Sequence, residues 1–244
     1  MTGSFEKEAM PEMSSTYDRG SALPSVSRTE VPGLRTWDRA GPALGILSWI
    51  VIMTGFFIHG YPGKDASAQD LVRWAGSTDT NRFVTGIFIE DLGYPLLLIF
   101  VGWVCLKLWQ AGGSAWLLGL GLAAFTVWAG VGMADQGFWI ALLRTGKAGA
   151  DGMTLMATYQ VARQISESIN PVLGLAMVAL GLGALAAVRA PRWIGWTAIA
   201  IGVAIAASSY APANVSGPIS LLSLLWSIAI AIRYLVRPAP AAAA

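Results

Sequence analysis

Residues 172–188, VLGLAMVALGLGALAAV, contain no charged side chain at all. A stretch of this kind is stable only where apolar matter surrounds it. About 20 mostly apolar residues, wound as a helix, cross the ~30 Å hydrocarbon core of a bilayer. Working outward, the run extends back to residue 153, and five others share its character: 43–60, 83–108, 115–143, 193–211 and 218–236. Gly112-Gly113-Ser114, Ala190-Pro191 and the segment 212–217 supply the turn formers between them. The pattern predicts an all-α fold, a polytopic membrane protein built as a six-transmembrane-helix bundle.

Composition agrees. Of 244 residues, 55% are hydrophobic and 12% charged, against about 25% charged in a soluble domain. Residues 1–42 hold a disproportionate share of the charges, lack an apolar core, and are expected to form a disordered cytoplasmic tail. Residues 43–236 form the expected transmembrane domain, and 237–244 a Pro/Ala-rich C-terminal tail. In the first outer loop, Ala68, Leu71, Val72 and Ala75 recur at helical spacing beside Trp74, which predicts a short interfacial helix over residues 66–75.

Loop charges give an orientation. With the N-terminus inside, inner flanks carry Arg35, Arg39, Lys107, Arg189, Arg192, Arg233 and Arg237. The outer loops carry Lys64, Arg73, Arg82, Arg144 and Lys147. Trp37, Trp109, Trp116, Trp193 and Trp196 all fall near the inner boundary. The expectation is a bacterial inner-membrane protein with both termini cytoplasmic.

Several classes of function are excluded. A formal charge of +2 without a basic, aromatic-rich cluster does not fit nucleic acid. One cysteine, Cys105, rules out an internal disulfide or a thiolate metal cage. One histidine, His59, rules out bis-histidine haem ligation. No cofactor is expected, and the lipid bilayer is the one partner implied.

Ionisable residues inside the apolar runs carry the functional signal, because a charge at mid-membrane costs about 2.5–3.5 kcal/mol even on the lenient insertion scale. Glu90 and Asp91 interrupt the second run, Asp135 with Gln136 beside it the third, and Arg163 and Glu167 the fourth; His59 ends the first. Gln160, Arg163, Gln164, Glu167 and Asn170 share one helical face. All fit the outer half of the bundle, where they predict a polar pocket for a small ligand, cation or proton, as in a transporter or sensor. Pro95 and Pro171 each follow a carboxylate by four residues, Asp91 and Glu167, and would free that residue's carbonyl. Asn170-Pro171 reads equally well as the start of the fourth transmembrane helix, leaving 153–169 as a separate amphipathic helix. The matching spacings Asp91–Pro95–Trp116 and Glu167–Pro171–Trp193 also raise an internal repeat. Two other functions compete: a structural or accessory subunit held together by its polar network, and, with less support, a membrane enzyme using the pocket carboxylates.

Asn81-Arg82-Phe83 opening the second helix, Glu90-Asp91 within it, and the inner turn Ala190-Pro191-Arg192-Trp193-Ile194-Gly195-Trp196 carry a resemblance. Over residues 40–236 the chain resembles uncharacterised six-span bacterial membrane proteins grouped as a domain of unknown function. That resemblance implies a six-span fold and no particular activity.

Overall fold

The computed structural model describes residues 34–210 and 216–236. All regular structure among them is helical: α1 (Leu34–His59), α2 (Ala68–Ser77), α3 (Thr80–Gln110), α4 (Ala115–Lys147), α5 (Gly152–Ser168), α6 (Asn170–Leu185), α7 (Arg192–Ser208) and α8 (Ser216–Val236). Four helical stretches are long and apolar enough to cross a membrane: Trp37–His59, Thr80–Gln110, Ala115–Lys147 and Gly152–Leu185. Two shorter apolar helices, Arg192–Ser208 and Leu221–Val236, follow. The outer surface is correspondingly greasy. Phe57, Phe88, Leu92, Val127, Leu175, Val203 and Leu225 are each more than half exposed, a surface that water would not tolerate over so many helices.

Most of the N-terminal tail and all of residues 237–244 lie outside the described residues. Within the expected tail, 34–42 belong to α1, and Asp38 pairs there with the ammonium of Lys107 on α3.

Consecutive long helices run antiparallel, and small residues set how closely. A Cβ on Gly45 would strike the Phe100 ring, and one on Gly86 would lie 2.8 Å from the His59 backbone nitrogen. Between α6 and α7 the pairing is Gly174 with Gly202 and Gly181 with Gly195. A Cβ on either α6 glycine would sit 2.7 Å from the partner glycine's carbonyl oxygen. Bare backbone thus touches bare backbone twice, at seven-residue spacing on both helices. The circuit then closes: α8 meets α7 through Trp226 Nε1 donating to the Ile194 carbonyl at 3.2 Å. It meets α3 through Tyr234, edge-on to Trp103 at 5.0 Å.

Two apolar cores result. The larger joins α1, α3, α4, α6, α7 and α8 around Leu97, Phe100, Leu118, Met177, Leu180, Ile194 and Ile230. The smaller joins α2 and α5 to the neighbouring ends of α3 and α4 around Leu71, Phe83, Ile87, Leu142, Leu143, Leu155 and Tyr159. Length explains the second. With 31 and 33 residues, α3 and α4 reach about 46 and 50 Å at 1.5 Å per residue, well beyond a ~30 Å hydrocarbon layer. α2 and α5 pack on the projecting ends as a cap. Helix α2 falls close to the expected 66–75, opened by a Ser67–Asp70 capping box. Its Leu71 and Ala75 are fully buried against this cap core.

The fourth apolar run breaks at one residue. Ile169 ends α5 and precedes α6 while keeping right-handed helical angles (φ −81°, ψ −16°), and its carbonyl accepts from Val172 and Leu173. Asn170 is therefore the first residue of α6 and not its cap. Pro171, lacking an N–H, sits in the first turn, where none is needed. Pro95, by contrast, lies within an unbroken α3. The two halves of the supposed repeat thus differ at their prolines.

Candidate functional site

Glu90 sits between the two cores. On α3 it lies between Ile87 of the cap core and Leu97 of the larger core. On α4, Asp135 and Gln136 lie between Phe125 of the larger core and Trp139 of the cap. Three ionisable side chains in this layer are almost fully buried: Glu90 and Asp135 at 6% exposure and His59 at 7%.

Glycine brings them together. Gly60 (φ +61°) adopts the left-handed conformation that terminates α1, and Arg82 Nε caps the Ile58 carbonyl at 3.0 Å. This holds His59 over Gly86, and its Nε2 meets Glu90 Oε2 at 2.7 Å. Gln136 Nε2 donates to Glu90 Oε1 at 3.0 Å, and Tyr94, one turn along α3, reaches the same oxygen at 3.4 Å. Tyr61 completes the chain by donating to Gln136 Oε1 at 2.7 Å. Burial and the nearby Glu90 push the Tyr61 phenol well above its usual range, so it remains a donor, and its bond orients the Gln136 amide toward Glu90. The Tyr61 ring also covers the layer, with its centroid 4.5 Å from that of His59 and 4.8 Å from that of Trp139.

Asp135 forms the second half. Its Oδ2 accepts from Trp139 Nε1 at 3.2 Å and from the Ser166 hydroxyl on α5. Yet the layer is not closed. His59 Nδ1, Asp135 Oδ1 and Asp91 Oδ1 are all buried without a hydrogen-bond partner. Native interiors leave few such atoms; here two belong to the layer and the third to Asp91, the neighbour of Glu90 in sequence.

The other expected site residues are elsewhere. Arg163 Nε pairs with Glu167 at 2.9 Å, and its Nη1 donates to the Lys64 carbonyl at 2.6 Å. The Tyr159 hydroxyl lies 2.6 Å from the same carbonyl. Together they strap the loop before α2 onto α5. Gln160 and Gln164 are exposed, and Asn170 is half-buried. The polar face of α5 points away from the bundle, because Leu155, Tyr159 and Ala162 on its other face fill the cap core. Asp91 is half-buried on α3, turned about 100° from Glu90. The structure thus joins His59, Glu90 and Asp135 in one layer and sets Arg163, Glu167, Gln160 and Gln164 apart from it.

No family model, curated protein or solved structure matches the chain. Its geometry must speak alone. Among the described residues no three His, Cys, Asp or Glu side chains converge as metal ligands. Tyr61, Tyr94, Trp139 and Ser166 are the partners that sequence reading missed. Two were within reach: Tyr94 stands at i+4 from Glu90 and Trp139 at i+4 from Asp135, each on its carboxylate's own helical face.

One consequence is direct. Tyr61→Phe keeps the ring but removes the donor to a buried amide oxygen. We expect it to lower stability by about 1–3 kcal/mol, measured by thermal unfolding in detergent.

Proposed function

We propose that the chain is a six-span integral membrane protein of the bacterial inner membrane, transporter- or sensor-like, whose buried layer binds a proton or small ligand. The six spans are α1, α3, α4, α6 continued from the last turns of α5, α7 and α8. Helix α7 is short, but its two glycine contacts with α6 lay it along the same depth. Both termini are cytoplasmic on this reading, with the α2–α5 cap outside and the exposed Trp37, Trp109, Trp116 and Trp196 at the inner boundary. Helix α2 then lies at the outer interface.

One observation carries the site: an ionisable pair, His59–Glu90, is buried between helices, and two polar atoms of its layer, His59 Nδ1 and Asp135 Oδ1, lack partners. A network that served only to hold helices together would gain by satisfying every member, since partial satisfaction is costly. Open positions on His59 and Asp135 suit groups that change protonation. The titratable neighbours of Glu90 are His59 on α1, Tyr61 beyond it, Asp91 and Tyr94 on α3, and Asp135 on α4. The range from about pH 5 to 8, where histidine ordinarily changes charge, is therefore the one in which to test this set.

The structural reading draws on the bonds themselves, since Glu90 ties α1, α3 and α4 together. Infrared difference spectra of the purified chain across that pH range separate the two. We expect a carboxyl band that Glu90→Gln abolishes. Spectra identical in wild type and variant would leave Glu90 a purely structural tie.

A further inference from the structure

Directly beside the layer is a cavity of about 130 Å³, bordered by α1, α3, α4, α6 and α8. Three aromatic residues from three helices line it, Trp49, Tyr94 and Trp128, with Ile52, Leu173 and Leu221 supplying aliphatic wall. We infer that this cavity binds a small organic cation, a quaternary or protonated amine.

The argument rests on the reading above, in that Glu90 must carry charge, and proceeds from shape, lining and field. A void of this size takes a molecule of about benzene's bulk. Aromatic faces carry negative quadrupole potential and form the common cage for quaternary ammonium groups. Tyr94 belongs to both structures: its ring lines the cavity and its hydroxyl donates to Glu90. Hydrogen bonding to a carboxylate enriches the ring's π-face and so strengthens its attraction for a cation.

The charged groups near the cavity are mostly acidic. Glu90 and Asp135 occupy the adjoining layer, with His59 bonded to Glu90 and Arg82 held on the Ile58 carbonyl beyond it. Arg163 is committed to Glu167 and the Lys64 carbonyl, and Lys107 to Asp38 near the far end of α3. An anion would be repelled, and a neutral hydrocarbon would gain nothing from this field.

Choline and its uncharged isostere 3,3-dimethylbutan-1-ol test the inference by calorimetric titration of the full chain in maltoside micelles. We expect choline to bind at least tenfold more tightly. Trp128→Leu should abolish that preference, and Tyr94→Phe, which keeps the ring but cuts its link to Glu90, should weaken choline severalfold. Equal affinity for the two probes, or no binding of choline to the wild type, overturns the inference without relying on any variant's folding. Dioleoylphosphatidylcholine added as competitor separates the sources of such a group. Displacement of choline assigns the site to a lipid headgroup, and retention assigns it to a free solute; either supports a cation site. The Glu90 infrared band, read on the same sample, reports independently on the proton reading, so failure of one is distinguishable from failure of the other.

Discussion

Gly181→Leu should unfold the detergent-solubilised chain far more readily than wild type, with a loss of about 3 kcal/mol or more. Overpacking an interior costs roughly 1–3 kcal/mol when neighbours can yield. Here the nearest atom to a new Cβ is the Gly195 carbonyl oxygen at 2.7 Å, with the Ile199 backbone nitrogen at 3.0 Å. Neither can rotate away, so α6 and α7 must separate, and the Gly174–Gly202 contact opens with them. Gly119→Leu is the matched control. It lies on the same kind of apolar helix, but a Cβ there meets nothing within 4 Å, so the change should stay within about 0.5 kcal/mol. Thermal unfolding of the two variants side by side checks the pair.

Gly55→Val carries the second large effect, and it reaches the site. A Cβ at Gly55 would meet the Glu90 backbone nitrogen and lie 2.5 Å from the Gly86 carbonyl oxygen. Valine adds two methyl groups to that collision, which forces α1 away from α3 at the level where His59 meets Glu90. The expected result is a loss of about 3 kcal/mol together with disappearance of the pH-dependent Glu90 infrared change. Gly102→Val, on α3 where a Cβ meets nothing within 4 Å, should retain both stability and spectrum.

These glycines show why much of the fold was legible in advance. Apolar runs separated by glycine, proline and serine located the long helices to within a few residues, because a chain without water must satisfy its backbone helically. The exception is α1, which begins at Leu34, well before the run at 43–60. The break in the fourth run was harder. Asn170-Pro171 announced a helix start, yet Ile169 holds a helical conformation across it, so the run is one path with a joint and not two separated helices. The polar face of α5 was legible as a face, but its direction was not. Inside a bilayer it would have to turn inward; packed on the projecting ends of α3 and α4, α5 buries Leu155, Tyr159 and Ala162 and turns Gln160 and Gln164 outward. The length of the run at 115–143 allows α4 to project beyond a bilayer, but nothing in the residue spacing announces that α2 and α5 pack there as a cap.

Within the site, the ionisable members were visible as charges where charge is expensive. Their partners were less so. Tyr61 reaches Gln136 across 75 positions of sequence, and Gln136 reaches Glu90 across 46. Such pairs depend on the rotational phase of two helices, which periodicity sets only to within a face. The polar layer also proved to be internal, roofed by Tyr61 and a second apolar core, where the sequence pointed to a pocket open to the outside.

The account turns on whether His59 and Glu90 interact as titrating groups or as a fixed tie. A double-mutant cycle with His59→Gln and Glu90→Gln, read by thermal unfolding at several pH values between about 5 and 8, asks this directly. The account predicts a coupling energy that changes with pH across the range. A coupling of the same size at every pH would contradict it and leave the pair a structural clasp.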